Sequence, residues 1–153
     1  MSYNIDEAIQ KILRAGIQSN VPVTKSQFMP AYDLKDTPKG FVFWDLQDIM
    51  PLQCSEGLDG PDGKETVSFM LDVACVAHQN TDRKALSNAV LNVLQPVSSG
   101  RRRQLTAYNV AGTGVFLNYI RLLSSIENTS TKTGQSTPDM TMIVLSFSGK
   151  ATC

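Results

Sequence analysis

The chain has 153 residues, 42% of them hydrophobic, enough for one domain that buries roughly two thirds of the surface its unfolded form would expose. Its 14 Lys and Arg balance 14 Asp and Glu, so no global field draws it to nucleic acid or an acidic membrane, and any basic function must be local. Cys54, Cys75 and Cys153 form no C-x-x-C pair, which predicts reduced thiols rather than a disulfide frame.

Asp6, Glu7, Lys11 and Arg14 interrupt the N-terminal apolar residues, and no later run approaches a membrane span, so neither a signal peptide nor a membrane partner is expected. Asn4 followed by Glu7 has the form of a capping box, and Ile5, Ala8, Ile9, Ile12 and Leu13 recur at helical spacing up to Gly16. The spacing predicts an amphipathic helix with Asp6, Gln10, Lys11 and Arg14 in solvent. Pro22, Pro30 and Pro38 break the pattern over residues 17–40, leaving 21–23 and 28–32 as short edge pieces.

Residues 41–46 read as a strand, with Trp44 as a packing anchor. Residues 66–79 alternate clearly, placing Val67, Phe69, Leu71, Val73, Cys75 and Ala77 on one apolar face. A helix follows, capped by Asn80 or Thr81, with Leu86, Ala89, Val90, Val93 and Leu94 on one stripe and a stop before Pro96. Residues 97–114 read as a loop carrying Arg101, Arg102 and Arg103. Residues 115–126 and 140–147 then form an antiparallel ribbon whose Ser- and Thr-rich tip spans 128–138. A tip that long suits a contact arm. Together these elements predict a single α+β domain over 1–153, an antiparallel sheet of about four to five strands with two main helices packed on it.

No catalytic constellation emerges. Cys75 and His78 stand three residues apart on one strand, so their side chains point to opposite faces. Asp72 and His78 share a face but lie about 20 Å apart along it. The glycines lack both the P-loop ending and the G-x-G-x-x-G spacing, and Asp45, Asp48, Asp59 and Asp62 are scattered near turns. With a single histidine and no ligand spacing, no metal or other cofactor is expected. The dense arginine run suits phosphates or an acidic partner surface; the plainer reading is a solvated loop.

The order of elements, with "MPAYD", the aromatic strand "GFVFWD", the long strand "ETVSFMLDVACVAHQ", the helix "TDRKALSNAVLNVLQP" and a terminal ribbon, resembles the tail terminator and tail completion proteins of long-tailed bacteriophages. The resemblance spans nearly the whole chain and is architectural. It implies a non-enzymatic subunit, without cofactors, of a homohexameric ring on the head-proximal end of the tail tube. Such a ring ends tube polymerisation and joins tail to head. The implied partners are copies of the chain, the major tail tube protein and a head completion or connector protein, with non-specific DNA in the channel and no membrane. The implied location is the virion tail or neck, after assembly in the host cytoplasm. Arg101, Arg102 and Arg103 would then face the DNA channel or a subunit contact, and Thr131, Lys132, Thr133, Gly134 and Gln135 would form a partner-contact arm. Alternatives are a neighbouring neck stopper or baseplate protein, a small nucleic-acid-binding domain, and, weakest, a Cys75 thiol hydrolase.

Overall fold

The computed structural model describes residues 5–26, 39–51, 66–105, 108–110, 112, 114–130 and 140–152. Two helices, α1 (Ile5–Gly16) and α2 (Asn80–Leu94), accompany strands β1 (Val23–Lys25), β2 (Phe41–Pro51), β3 (Thr66–Ala77), β4 (Val97–Ser98), β5 (Arg101–Arg102), β6 (Tyr108–Val110), β7 (Val115–Ser130) and β8 (Met140–Thr152).

The expected antiparallel sheet of four to five strands is overturned. Six strands form one mixed sheet in the order β1-β2-β3-β8-β7-β6, with β4 and β5 as a separate small hairpin. The sheet curls into a half-barrel and dominates the architecture. It is mixed because β1 runs parallel to β2, with Val42 N–H donating to Pro22 C=O at 2.9 Å. Proline suits this position because an edge strand leaves one side unpaired. The two outer strands, β1 and β6, have three residues each, too few for a period-two pattern to register in the sequence.

The long strands follow their alternation. All six odd residues of β3 from Val67 to Ala77 are buried, and β8 continues the same face through Ile143, Leu145, Phe147 and Ala151. β8 is hydrogen-bonded to β3 along one side and to β7 along the other. On β7 the inward parity changes. Val115 and Leu117 are buried, then Tyr119 interrupts the ladder with φ 53°, and Ile120 becomes the buried residue. Such a bulge bends the strand and strengthens its twist.

α1 explains the curl. Its buried stripe Ile5, Ala8, Ile9, Ile12 and Leu13 matches the sequence reading, and the helix touches both sheet edges, β1 and β6. Two residues expected in solvent instead tie it to the first edge. Gln10 donates to Val23 C=O at 2.7 Å and accepts from the Trp44 indole at 2.9 Å, while Arg14 donates to the carbonyls of Ser19 and Val21. Lys25 pairs with Asp6 at 2.9 Å and lies over the Trp44 ring.

α2 begins one residue earlier than a side-chain cap at Asn80 would require. Gln79 is the N-cap and makes no side-chain capping bond. Its C-terminal half meets α1 where Gly16 faces Val93: a Cβ on Gly16 would lie 2.1 Å from Val93 Cγ1. Close approach therefore requires glycine there.

Gly149 on β8 plays a similar part beside the bulge, where a Cβ would sit 2.7 Å from the Phe69 ring and 2.9 Å from Ile120. Phe69 and Ile120 are fully enclosed and cannot give way cheaply. Gly149→Ala is expected to destabilise the chain by about 1–3 kcal/mol through overpacking. Phe147→Ala, which empties a wholly buried site, should cost more, about 3–5 kcal/mol. Urea denaturation of the two variants checks both the order and the sizes.

Candidate interaction surface

The arginine run is not a plain loop. β4 and β5 form a two-residue hairpin whose turn residues, Ser99 and Gly100, have φ 54° and 74°, as a primed hairpin turn requires. On a strand, successive side chains take opposite sides, so Arg101 and Arg102 are separated. Arg102 turns to the C-terminal end of α2, donating to Asn92 Oδ1 at 3.0 Å and Gln95 C=O at 3.3 Å. There its charge complements the partial negative charge of the helix terminus. Arg103 N–H is held by Pro96 C=O at 3.0 Å, and two 3.1 Å bonds between Leu105 and Ile120 clamp the following residues to β7.

This clamp brings Gln104 next to Arg121. Arg102, Arg103, Gln104, Leu105, Arg121 and Leu122 line a cleft of about 740 Å³. Gln104 and Arg121 also line a second cleft of about 480 Å³, with Ser68, Met70, Tyr119, Ser148 and Lys150. The two clefts form one groove, running from the hairpin over the edge of β7 onto the outward face of the sheet. Arg121 enters through its register partner Ser148, and Lys150 pairs with Asn118 two positions away. Arg101 lines neither cleft.

Tyr119 stands in the groove. Its left-handed backbone is unfavourable for a bulky side chain, and the bulge aims the ring outward, 53% exposed, with Lys150 Nζ 5.3 Å from its centroid. Farther along β7, Leu123 and Ile126 are also exposed.

The charges are sorted. Among the described residues, Asp6, Glu7, Asp82 and Glu127 pair with Lys25, Lys11, Lys39 and Arg83. None of the ion pairs involves Arg101, Arg102, Arg103, Arg121 or Lys150. Asp45 and Asp72 stand opposite one another on β2 and β3, outside the groove. Among its described residues, a chain of zero net charge thus carries a patch of one sign. Sequence reading found Arg101, Arg102 and Arg103 through their adjacency. It missed Arg121, Lys150 and Tyr119, which only the β7–β8 register and its bulge bring together.

The other singled-out residues do not converge. Thr131, Lys132, Thr133, Gly134 and Gln135, Asp59, Asp62, Cys54 and Cys153 lie outside the described residues. Trp44 is a core residue, 2% exposed. Cys75 is fully buried on the inward face, and His78 is exposed beyond the end of β3. Burial pushes the Cys75 thiol up to about 12, the nearby Arg83 guanidinium opposing the rise. Arg83 is itself buried and pairs with the exposed Glu127 at 3.2 Å, fastening α2 to β7. Among the described residues no three His, Cys, Asp or Glu are grouped to hold a metal, and no helix is long and apolar enough to cross a membrane.

No protein-family model and no curated protein matches the chain. Among solved structures, it is similar to a chain of the virion of a native gene transfer agent particle, with a TM-score of 0.56 at 15% identity over 99% of this chain and 100% of the other. At that identity the likeness is one of fold. A second solved chain, 13% identical over 95% of this chain and 89% of the other, has a TM-score of 0.37 and carries no argument.

The buried thiol makes Cys75 unreactive. Iodoacetamide at pH 8 is expected to leave it unlabelled in the folded chain and to alkylate it in urea, as peptide mass spectrometry of the Cys75 peptide will report. Because its folded pKa lies above the ordinary thiol value of 9.0, the unfolded chain loses this proton first. The Cys75 contribution to stability is therefore complete below pH 9 and is lost as pH rises toward 12. Cys75→Ala removes that alkaline decline in denaturation midpoint.

Proposed function

We propose that this chain is a structural subunit of a virion, and that its place is a ring capping the head-proximal end of a tail tube. The observation that carries the reading is the fold shared, end to end, with a chain of a gene transfer agent virion. The sequence resemblance to phage tail terminator and tail completion proteins points the same way and supplies the finer assignment. In this reading the chain catalyses nothing and binds no cofactor. It stops tube polymerisation and presents a surface to a head completion or connector protein.

Ring assembly has a physical basis in the sheet edge. Among the described residues, β6 pairs only with Val115, Phe116 and Leu117, and Leu105 bridges to Ile120, so β7 beyond Arg121 has no strand on that side. Such an edge, with Leu123 and Ile126 exposed on it, is a template for another chain. A head-to-tail contact of this kind closes into a ring when the rotation between copies closes. Six copies is the number that the resemblance implies, and Arg101, Arg102 and Arg103 would then line the channel or a subunit contact.

Deletion of the gene is expected to give overlong or irregular tails, seen by negative-stain electron microscopy. Filled heads that leak DNA beside finished free tails would instead assign the chain to the neck as a stopper. A protein that stays monomeric by light scattering and also fails to bind purified tail tubes would overturn the ring.

A further inference from the structure

We propose that the groove formed by Arg102, Arg103, Gln104, Arg121, Tyr119 and Lys150 binds a nucleic-acid strand, its phosphates on the cations and a base on the Tyr119 ring. Among the described residues, four cations line the groove and no carboxylate does. None of the four makes an ion pair among the described residues: Arg102 meets the C-terminal end of α2, and Arg103, Arg121 and Lys150 have no carboxylate partner among those residues. The Cα atoms of Arg121 and Lys150 lie on adjacent strands two register positions apart, about 8 Å. A row of cations so spaced suits a chain of repeating anions. A protein partner would have to bring several carboxylates in matching order.

Tyr119 makes the choice more specific. Its backbone holds a left-handed conformation that an aromatic residue adopts only when its surroundings impose it. The result is a planar face presented beside Lys150 instead of buried in the core. Cations tracking a backbone, with an exposed aromatic for stacking, are the elements of sequence-independent single-strand binding. The assignment extends past the arginine run, leaves Arg101 out, and does not require the ring: an unassembled chain carries the same groove.

The test is fluorescence anisotropy of a labelled single-stranded 20-mer across a salt series. Four phosphate contacts predict a slope of log K against log salt near −3, since each contributes about −0.7 on a single strand. The R103E/R121E double variant should bind at least tenfold more weakly, with the slope reduced by about half. Tyr119→Ala should weaken binding about fivefold or more while leaving the slope unchanged. Lys84→Glu, an exposed charge on α2 away from the groove, should bind as the parent does. Arg103 and Arg121 are both exposed, so matched unfolding curves will show that the double variant is folded. No salt-dependent binding at low salt, or binding that the double variant retains, overturns the proposal. So does a double variant that loses purified tail tubes while the parent ignores the oligonucleotide, which would assign the groove to an acidic protein surface. Tail length is a separate readout, so failure of the groove and failure of the ring are distinguishable.

Discussion

The structure depends on burying one short helix inside a sheet that must bend to reach it from both sides. α1 is too short to be stable alone in water, and its apolar stripe needs walls on more than one side. β1 and β6, at opposite ends of the sheet order, both touch it. The sheet can do this only by twisting strongly, and the twist enters where ladders are interrupted, at Tyr119 on β7 and between Gln47 and Met50 on β2. Gly149 permits the tightest point of that bend. The same distortion that closes the core around α1 therefore expels an aromatic ring onto the outer surface.

What was legible in the sequence were the elements with enough residues to show a period. β3 could be read from its alternation and α1 from its apolar stripe. α2 was readable in extent, although its buried face also takes in Arg83 and Ser87. The four-to-five-strand antiparallel sheet failed at its margins. Two- and three-residue strands carry no pattern, and β1, which pairs parallel with β2, is tied to α1 by Gln10, by Arg14 through Val21 and by the Lys25–Asp6 pair, contacts that no periodicity of Val23, Thr24 and Lys25 announces. The surface was half legible for a similar reason. Arg102 and Arg103 announce themselves by adjacency, whereas Arg121 and Lys150 are 29 positions apart and meet only because a bulge sets their register.

Electrostatics divides the molecule without giving it a net charge. Glu7 pairs within α1, Asp82 joins α2 to Lys39 ahead of β2, and the pairs of Asp6 with Lys25 and of Glu127 with Arg83 tie the two helices to the sheet. Most of these pairs are at least partly exposed and contribute modestly to stability. Among the described residues none of them lines the groove, whose cations form a local concentration of positive charge that total composition conceals. At the other end of the sheet, Arg83 brings a buried positive charge near Cys75, yet the thiol stays neutral because desolvation outweighs the attraction.

The central position of β8 also orders events in time. Its register partners on β3 lie as many as 86 residues earlier, Thr66 against Thr152, and β3 and β7 have no ladder between them until β8 arrives. On a ribosome adding about 5–20 residues per second, β8 is made after every other described element, so two long strand edges wait unpaired while translation proceeds. The sheet therefore cannot close during synthesis of its earlier strands. At high expression, nascent chains meet one another with those edges open, and a crowded cell has to keep them apart for seconds before each chain can complete itself.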